Sequence, residues 1–434
     1  MILRSLSLSN FHRFEHFKIS FDDHLTVLVG DNGSGKSSIL RAASIALGTF
    51  LSGFDGASSM SISPLDARLV TYERDGAIDR RAQYPVDIEA VGEICGDVLS
   101  WKRSLNSSKG RTTRVDAKDV IAKGRELSLR LQEGDFDAVL PLVAYYGTGR
   151  LWAKKQQQDT DTREPDRTEG YRYALDGEVN DKALLAWVRR MTIEEVQRMR
   201  RQGGDGGVST LSAVRDAIAS CFVRISGRNH VEVDYDFNVN DFTVSCRRED
   251  GTAESLPLGY LSDGYRTTMS MVADIAYRMA MLNPGLGSEV VSQTPGVVLI
   301  DEVDLHLHPR WQSRVLGDLQ ALFPRVQFIV TTHAPLVISS VRAENIRVLM
   351  NDASDSYAPS SEVYGGDLGR LLVTVMGADE RPKDIQKLFD DFYDVLDKRQ
   401  YERAEEILKQ LVERMGDNDP DIVSAQTAYA LEAE

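Results

Sequence analysis

The feature that most constrains this chain is a glycine-rich segment near its start, Gly30-Asp31-Asn32-Gly33-Ser34-Gly35-Lys36-Ser37. It follows an apolar run at 25–29, typical of a buried parallel strand, and a helical pattern begins at Lys36. Glycines in such a turn let backbone N–H groups converge on a phosphate, and the helix N-terminus adds its positive dipole. The pattern therefore predicts a nucleoside triphosphate site, with Lys36 on the β- and γ-phosphates and Ser37 on Mg²⁺. The residues predicted to bind the nucleotide are Asn32, Gly33, Ser34, Gly35, Lys36, Ser37 and Ser38.

Two later strands end in residues suited to act on that nucleotide. The apolar run 297–300 leads into Asp301 and Glu302, which predicts a magnesium-binding aspartate followed by a glutamate that polarises the attacking water. A second predicted strand, 326–331, leads to His333. A lone histidine at the end of a strand is usually structural, so its role depends on the other motifs.

One of those motifs opens the helical pattern that begins near residue 263. Leu261-Ser262-Asp263-Gly264-Tyr265 resembles the LSGGQ signature of ABC proteins, and Gly264 precedes Asp301 by 37 residues, a spacing typical of that class. Taken alone, the pentapeptide also fits an ordinary helix start, in which Ser262 or Asp263 is the N-cap.

The segment that follows Glu302, Asp304-Leu305-His306-Leu307-His308-Pro309, stands where ABC proteins have their D-loop. Pro309 suits the first turn of a helix. A metal site on Asp304, His306 and His308 is the alternative interpretation, because alternate residues of an extended segment share one face.

Taken together, the five motifs cover residues 1–350 and resemble the ABC-type ATPases of the SMC, RecF and OLD group. Within that group the chain is similar to compact ATPases of bacterial anti-phage systems of the Septu and retron-associated types, and residues 145–150 (YYGTGR) and 363–420 add to the likeness. The resemblance implies ATP and Mg²⁺ as ligands, a dimer around two ATP molecules, and a separate nuclease subunit. It assigns Ser262, Asp263 and Gly264 to the γ-phosphate on a partner copy, Asp304, His306 and His308 to the dimer interface, and His333 to the γ-phosphate.

The chain also departs from the pattern of that group. The usual Asn-Phe-Arg of the first strand is here Asn10-Phe11-His12-Arg13, which argues against a nucleotide role for Arg13. No clear Q-loop glutamine is present, and the turn at 146–150 is the best positional candidate for that loop.

The element pattern predicts an α/β fold, an ABC-type (RecF/SMC-like) P-loop ATPase head with a short inserted helical/β lobe and a C-terminal helical tail. The head is predicted to span 1–375, with inserted segments at about 52–135 and 151–225, and the tail 376–434. Apolar stripes at 383–397 and 400–414 predict a helical hairpin, whose apolar face must pack against the ATPase domain or another subunit.

Composition limits the partners. A net charge of −15 argues against a surface that binds nucleic acid everywhere, but two basic clusters are candidates for local DNA contact. A solvated helix face with a Glu194–Arg198 pair is the alternative for the second cluster. The absence of long apolar runs and the three scattered cysteines predict a cytoplasmic protein without membrane spans. The clusters are Lys102, Arg103, Lys109, Arg111 and Arg114, and Arg189, Arg190, Arg198, Arg200 and Arg201.

Two functions remain open at this point. The first is an ATPase that dimerises around ATP and regulates a partner nuclease in anti-phage defence. The second is a DNA repair or recombination ATPase that binds DNA as a dimeric clamp, like RecF and SMC proteins. The motifs are common to both functions.

Overall fold

The computed structural model describes residues 1–433 except 58, 75–76, 152–165, 178, 180, 203–209, 248–251, 351–353, 367 and 378–380. Part of the predicted inserted segment 151–225 therefore lies outside the described residues. The strands are β1 (Ile2–Phe11), β2 (Phe14–Ser20), β3 (Leu25–Gly30), β4 (Leu69–Arg74), β5 (Ala77–Ala82), β6 (Val86–Ile94), β7 (Asp97–Leu105), β8 (Leu142–Tyr146), β9 (Glu232–Asp236), β10 (Asp241–Arg247), β11 (Ala253–Pro257), β12 (Gly296–Ile300), β13 (Val326–Thr331) and β14 (Ile346–Leu349).

The helices are distributed between these strands and along the C-terminal part of the chain. They are α1 (Lys36–Leu51), α2 (Lys118–Gln132), α3 (Asp181–Gln202), α4 (Thr210–Ser226), α5 (Asp263–Leu282), α6 (Val290–Gln293), α7 (Pro309–Gln312), α8 (Val315–Leu322), α9 (Pro335–Ile338), α10 (Leu368–Thr374), α11 (Lys383–Asp397), α12 (Tyr401–Met415) and α13 (Pro420–Ala433). Within the described part of the chain, none of them is long and apolar enough to cross a membrane.

A five-stranded parallel sheet forms the centre of the first compact unit, Met1–Gly366. Its strand order is β14-β3-β13-β12-β8, with every neighbouring pair parallel. Every residue of β3, β12 and β13 is buried, as expected for strands in the middle of a parallel sheet. Because the strands are parallel, the residues that follow β3, β8, β12 and β13 meet at one edge of the sheet.

An antiparallel sheet of order β2-β1-β6-β7 forms a second layer of this unit. The buried amide of Gln327 joins the two layers, since it accepts the Leu3 N–H at 2.8 Å and donates to the Leu3 carbonyl at 2.8 Å. The segment 52–135, predicted as an insertion, therefore supplies β6 and β7 to the sheet built on the N-terminal strands. Its β4 and β5 form a separate two-stranded ribbon.

Several element boundaries differ from the prediction for local reasons. The helix expected over 309–322 is divided at Ser313 and Arg314 into α7 and α8, because the φ of −124° at Arg314 lies outside the helical range. The hairpin expected at 231–248 gains a third strand, β11. Both β11 and β14 are short, with five and four residues, so they give little periodicity to detect.

The second compact unit is Asp367–Glu434. It begins before the predicted boundary at residue 375, because α10 belongs to this unit. Helices α11, α12 and α13 share one core. Ile422 and Ala425 of α13 are fully buried within it and cover the apolar face of the predicted hairpin. The unit therefore buries most of that face by itself. The core residues are Phe389, Phe392, Val395, Leu396, Ala404, Leu408, Leu411, Ile422 and Ala425.

Candidate nucleotide-binding site

The glycine-rich loop connects β3 to α1 at the edge of the parallel sheet. Two of its glycines have no room for a side chain: a Cβ on Gly30 would lie 2.4 Å from the Leu349 carbonyl oxygen, and one on Gly35 would lie 2.4 Å from the Phe14 ring. Gly35 has φ 100° and provides no side-chain cap for α1. The first N–H groups of α1 are thus without a side-chain cap, as an anion site at a helix start requires.

The ammonium group of Lys36 lies under this loop. It donates to the carbonyl oxygens of Gly30 at 2.7 Å and Asp31 at 2.8 Å. Burial lowers the pKa of Lys36, while the nearby carboxylates of Asp301, Asp31 and Glu302 act to raise it. The cation is therefore placed between the phosphate loop and the two acidic residues that follow β12.

The carboxylate of Asp301 is held by a neighbouring strand. Asp301 is 5% exposed, and its Oδ1 accepts a hydrogen bond from Thr331 Oγ1 at 2.6 Å. The same hydroxyl accepts the backbone N–H of Glu302 at 2.7 Å. Thr331, the last residue of β13, was not among the predicted site residues. The only signal in the sequence is a hydroxyl residue two positions before the predicted histidine.

Glu302 adopts a backbone conformation that is rare for a residue with a side chain. Its φ is 47°, in the left-handed region. Its carbonyl oxygen accepts a hydrogen bond from Arg150 Nη2 at 2.8 Å, and the carbonyl of Asp301 accepts one from Arg150 Nη1 at 2.7 Å. The turn at 146–150 therefore contacts the Asp301–Glu302 segment through an arginine in place of a glutamine.

An open cleft brings the predicted phosphate, magnesium and catalytic residues together. Ser34 is the exception among the predicted residues of the loop: its side chain is fully buried, and its N–H donates to the Asp31 carbonyl at 3.1 Å. The side chain of Ser34 therefore faces away from a ligand in the cleft. The cleft is lined by His12, Arg13, Asn32, Gly33, Gly35, Lys36, Ser37, Ser38, Leu65, Ala67, Leu69, Asp301, Glu302, Thr331 and His333.

Arg13 also lines the cleft and donates a hydrogen bond to the carbonyl of Gly33. The sequence argued against a nucleotide role for Arg13 because of the extra residue His12, and the structure places its side chain at the cleft. His12 lies on the same wall, where its Nε2 is 3.0 Å from Oδ1 of the buried Asp66. The left-handed φ of 50° at His12 accommodates the additional residue and returns Arg13 to the cleft.

The signature residues do not line this cleft. Ser262 occupies the N-cap position of α5, but its side chain makes no capping hydrogen bond to the helix. Asp263 pairs with Arg266 at 3.0 Å on the surface. A Cβ on Gly264 would lie 2.5 Å from the His306 carbonyl oxygen, so this glycine allows α5 to pack against the D-loop.

Two of the three candidate metal ligands of the D-loop make other hydrogen bonds, and the third is exposed. Asp304 Oδ1 accepts from Thr332 Oγ1 at 2.5 Å, the His308 ring accepts the Arg310 N–H at 3.3 Å, and His306 is exposed. Among the described residues, no group of three histidines, cysteines or carboxylates is arranged to hold a metal ion. The metal interpretation is therefore without support in the described residues.

Internal contacts occupy two of the five residues of the first basic cluster. Lys102 forms ion pairs with Asp87 at 3.0 Å and Glu89 at 3.1 Å, and Arg103 is 1% exposed and donates to Thr49 Oγ1 at 3.0 Å. Arg103 is therefore not available to contact DNA, whereas Lys109, Arg111 and Arg114 of the same cluster are exposed. On α3, Arg198, Arg200 and Arg201 are exposed as well.

Comparison with known proteins decides which class of P-loop protein this is. A family model described as "AAA domain" matches residues 5–198, and one described as "AAA domain, putative AbiEii toxin, Type IV TA system" matches residues 225–339. The first match contains the phosphate loop, and the second contains the signature, Asp301, Glu302 and His333. The chain is an ATPase with an ABC-type P-loop head, and it resembles the ATPases of the SMC and RecF group.

The chain is also similar to several individual proteins. This ATPase is 24% identical to "Retron Vc95 probable ATPase" of Vibrio cholerae serotype O1 biovar El Tor, over 88% of its own length and 80% of the relative. It is 34% identical to "Septu protein PtuA" of Bacillus mycoides strain KBAB4, over 36% of its own length and 22% of that relative. A solved structure, "Crystal structure of the SmcHead bound to the C-winged helix domain of ScpA", aligns with a TM-score of 0.49 at 16% identity, over 84% of this chain and 99% of that one.

Proposed function

We propose that two copies of this ATPase dimerise around two ATP molecules and that each copy completes the other's site. The observation that carries the proposal is the incomplete cleft. It contains Lys36, Glu302 and His333 but neither Ser262 nor Gly264. Ser262 and the open N-terminus of α5 supply N–H and hydroxyl donors suited to a γ-phosphate, and a second copy is the source that brings them to this cleft.

The cleft also offers a suitable donor set for Mg²⁺. The Ser37 hydroxyl and the Asp301 carboxylate both line it, and a magnesium ion prefers such oxygen ligands. When bound, the ion would neutralise charge on the β- and γ-phosphates. Lys36 then holds the phosphates, Glu302 orients and deprotonates the attacking water, and His333 contacts the γ-phosphate.

The dimer's ATP cycle regulates a separate nuclease subunit in an anti-phage system of the cytoplasm. Relatives named as a retron ATPase and a Septu protein support this assignment. ATP occupancy and hydrolysis are both suitable control signals for such a partner.

A DNA clamp is the second candidate function. Its supporting observation is the outer face of α3, where Arg198, Arg200 and Arg201 are exposed beside the apolar Met199, which is 49% exposed. A DNA contact there would release counterions, so affinity would fall steeply with salt. If the protein is a clamp that uses this face, replacing the three arginines with glutamate should abolish the salt-dependent DNA binding. If DNA binding is the same in the variant and the wild type, this face of α3 is not a DNA contact.

Co-expression with the neighbouring genes, affinity purification and native mass measurement test the main proposal. We expect an ATP-dependent complex that contains an even number of ATPase chains and a nuclease chain. Lys36→Ala should lose the ATP-dependent association. A monomer that hydrolyses ATP at the full rate and binds no second protein would contradict both the shared site and the partner.

A further inference from the structure

Arg150 makes contacts that suit a role in placing the catalytic segment. It is 7% exposed and follows β8, the strand next to β12. Its guanidinium donates to the carbonyl oxygens of Gly147 at 3.1 Å, Asp301 at 2.7 Å and Glu302 at 2.8 Å. One planar group therefore ties the turn after β8 to two consecutive peptides of the segment that carries both acidic residues.

Glu302 needs such support because its backbone is in an unfavourable conformation. A φ of 47° brings the Cβ of an L-residue close to its own backbone, so most residues avoid this region. A strained conformation persists only when surrounding contacts fix it. Here Thr331 holds the N–H of Glu302 and Arg150 holds its carbonyl, so the residue is fixed from both sides.

Hydrogen bonds at the end of β8 also hold the turn that carries Arg150. The adjoining strand end is fixed too, because the Asp301 N–H donates to the Tyr146 carbonyl at 2.8 Å. Tyr146 in turn donates through its hydroxyl to the buried Asp274 of α5 at 2.8 Å.

We propose that Arg150 is a positioning residue for ATP hydrolysis, which holds the Asp301–Glu302 backbone so that the Glu302 carboxylate faces the cleft. It acts through Glu302 and does not contact the nucleotide, in agreement with its absence from the cleft lining. This inference rests on the proposed role of Glu302 as the group that activates water.

Arg167 offers a matched control within the same unit. It is a partly buried arginine that donates to the backbone carbonyls of Leu282 at 2.7 Å, Asp135 at 3.2 Å and Ala138. It bonds the same kind of acceptors as Arg150 but is not near the catalytic segment. Any effect common to Arg150→Ala and Arg167→Ala therefore reports the loss of structural hydrogen bonds.

The test measures turnover, ATP affinity and thermal midpoint for Arg150→Ala, Arg150→Lys and Arg167→Ala. A misplacement of about 1 Å costs on the order of 10²-fold in rate, so we expect that loss of turnover for Arg150→Ala, with ATP affinity changed by less than about threefold. Arg150→Lys should stay folded and still lose most of the turnover, because one ammonium cannot bridge both carbonyls. Arg167→Ala should keep wild-type turnover.

Two further measurements exclude a merely structural role. Guanidinium ion at low, non-denaturing concentration should restore part of the turnover of Arg150→Ala, and sodium chloride at the same ionic strength should not. Adding Arg150→Ala to Glu302→Gln should cause little further loss, since both act through one carboxylate. Full additivity of the two losses, or wild-type turnover of Arg150→Lys, would overturn the proposal.

Comparison of Glu302→Gln with Arg150→Ala distinguishes the catalytic role of Glu302 from the positioning role of Arg150. If Glu302→Gln hydrolyses ATP at the wild-type rate, Glu302 is not the activating group, and the premise of the inference is lost. If Glu302→Gln is inactive and Arg150→Ala is fully active, only the positioning role is wrong.

Discussion

The hydroxyl of Thr331 donates a hydrogen bond to the carboxylate of Asp301, with Oγ1 of the threonine 2.6 Å from Oδ1 of the aspartate. The same oxygen accepts the N–H of Glu302 at 2.7 Å, so one side chain at the end of β13 fixes two residues at the end of β12. The adjacent strands are parallel and in register, with Ile300 opposite Val330. That pairing is what places the hydroxyl beside the carboxylate.

Thr331→Val should therefore damage both stability and turnover. The valine keeps the shape but leaves the Glu302 N–H without its partner, and an unsatisfied buried donor costs about 1–3 kcal/mol of unfolding free energy. Turnover should fall by about tenfold or more as Asp301 and Glu302 lose their support. Urea unfolding and a steady-state ATPase assay measure the two effects. Thr331→Ser retains the hydroxyl and should behave nearly as wild type; equal losses in both variants would contradict the hydrogen-bond explanation.

Glu302→Gln should separate ATP binding from hydrolysis. The amide keeps the size of the side chain but cannot accept the proton of the attacking water, so turnover should fall by about 10²-fold or more with affinity retained. Lys36→Ala should instead weaken ATP binding, because it removes a cation from the phosphate loop. Equilibrium binding of a labelled nucleotide and phosphate release distinguish the two. An active Glu302→Gln enzyme would end the assignment of Glu302.

Mixing two inactive variants should partly restore activity if sites are shared between copies. A Lys36→Ala chain keeps a working signature, and a Ser262→Arg chain keeps a working phosphate loop. One intact composite site then forms in each mixed dimer. Titration of one variant with the other, followed by phosphate release, measures this recovery. Each variant alone is the control, and a flat response across all mixing ratios would show that Ser262 serves its own chain or none.

Acid should weaken the fold partly through Asp66, on the wall of the cleft. Burial acts to raise the pKa of Asp66, but bonds from His12, Arg41 and the Ser63 N–H outweigh it and lower the pKa from 3.8 to about 2. A carboxyl with a lowered folded pKa stabilises the fold above its unfolded pKa and loses that contribution as the pH falls through the folded value. The contribution is roughly 2 kcal/mol at neutral pH and disappears between about pH 4 and pH 2.

Asp66→Asn tests this pH dependence. Its unfolding free energy should lie below that of wild type at pH 7, and the difference should shrink as the pH falls below about 4. Denaturant unfolding at several pH values measures it. Asp79→Asn removes an exposed carboxylate that pairs with Arg81, and it should follow wild type throughout. A difference between Asp66→Asn and wild type that does not change with pH would contradict the predicted titration.

The sequence by itself determined the elements whose geometry depends on near neighbours. The strand, glycine loop and helix at 25–47 follow from apolar residues, then glycines, then helix formers in one short stretch. The same holds for the acidic residues after β12 and for His333 after β13, since a strand end is a local property. Motif order then identified the ATPase class and the parallel sheet that brings these ends together.

Only the tertiary structure decided which distant side chains support that chemistry. Arg150 and Glu302 are 152 positions apart, and their contact exists because β8 pairs with β12. The burial of Arg103 and the cover that α13 gives to the C-terminal hairpin are likewise set by packing between distant segments. Such contacts depend on the strand order and on a core formed by the whole unit, which local periodicity does not encode. The sequence thus predicted the groups that we propose for ATP binding and hydrolysis, and the fold determined what holds them in place.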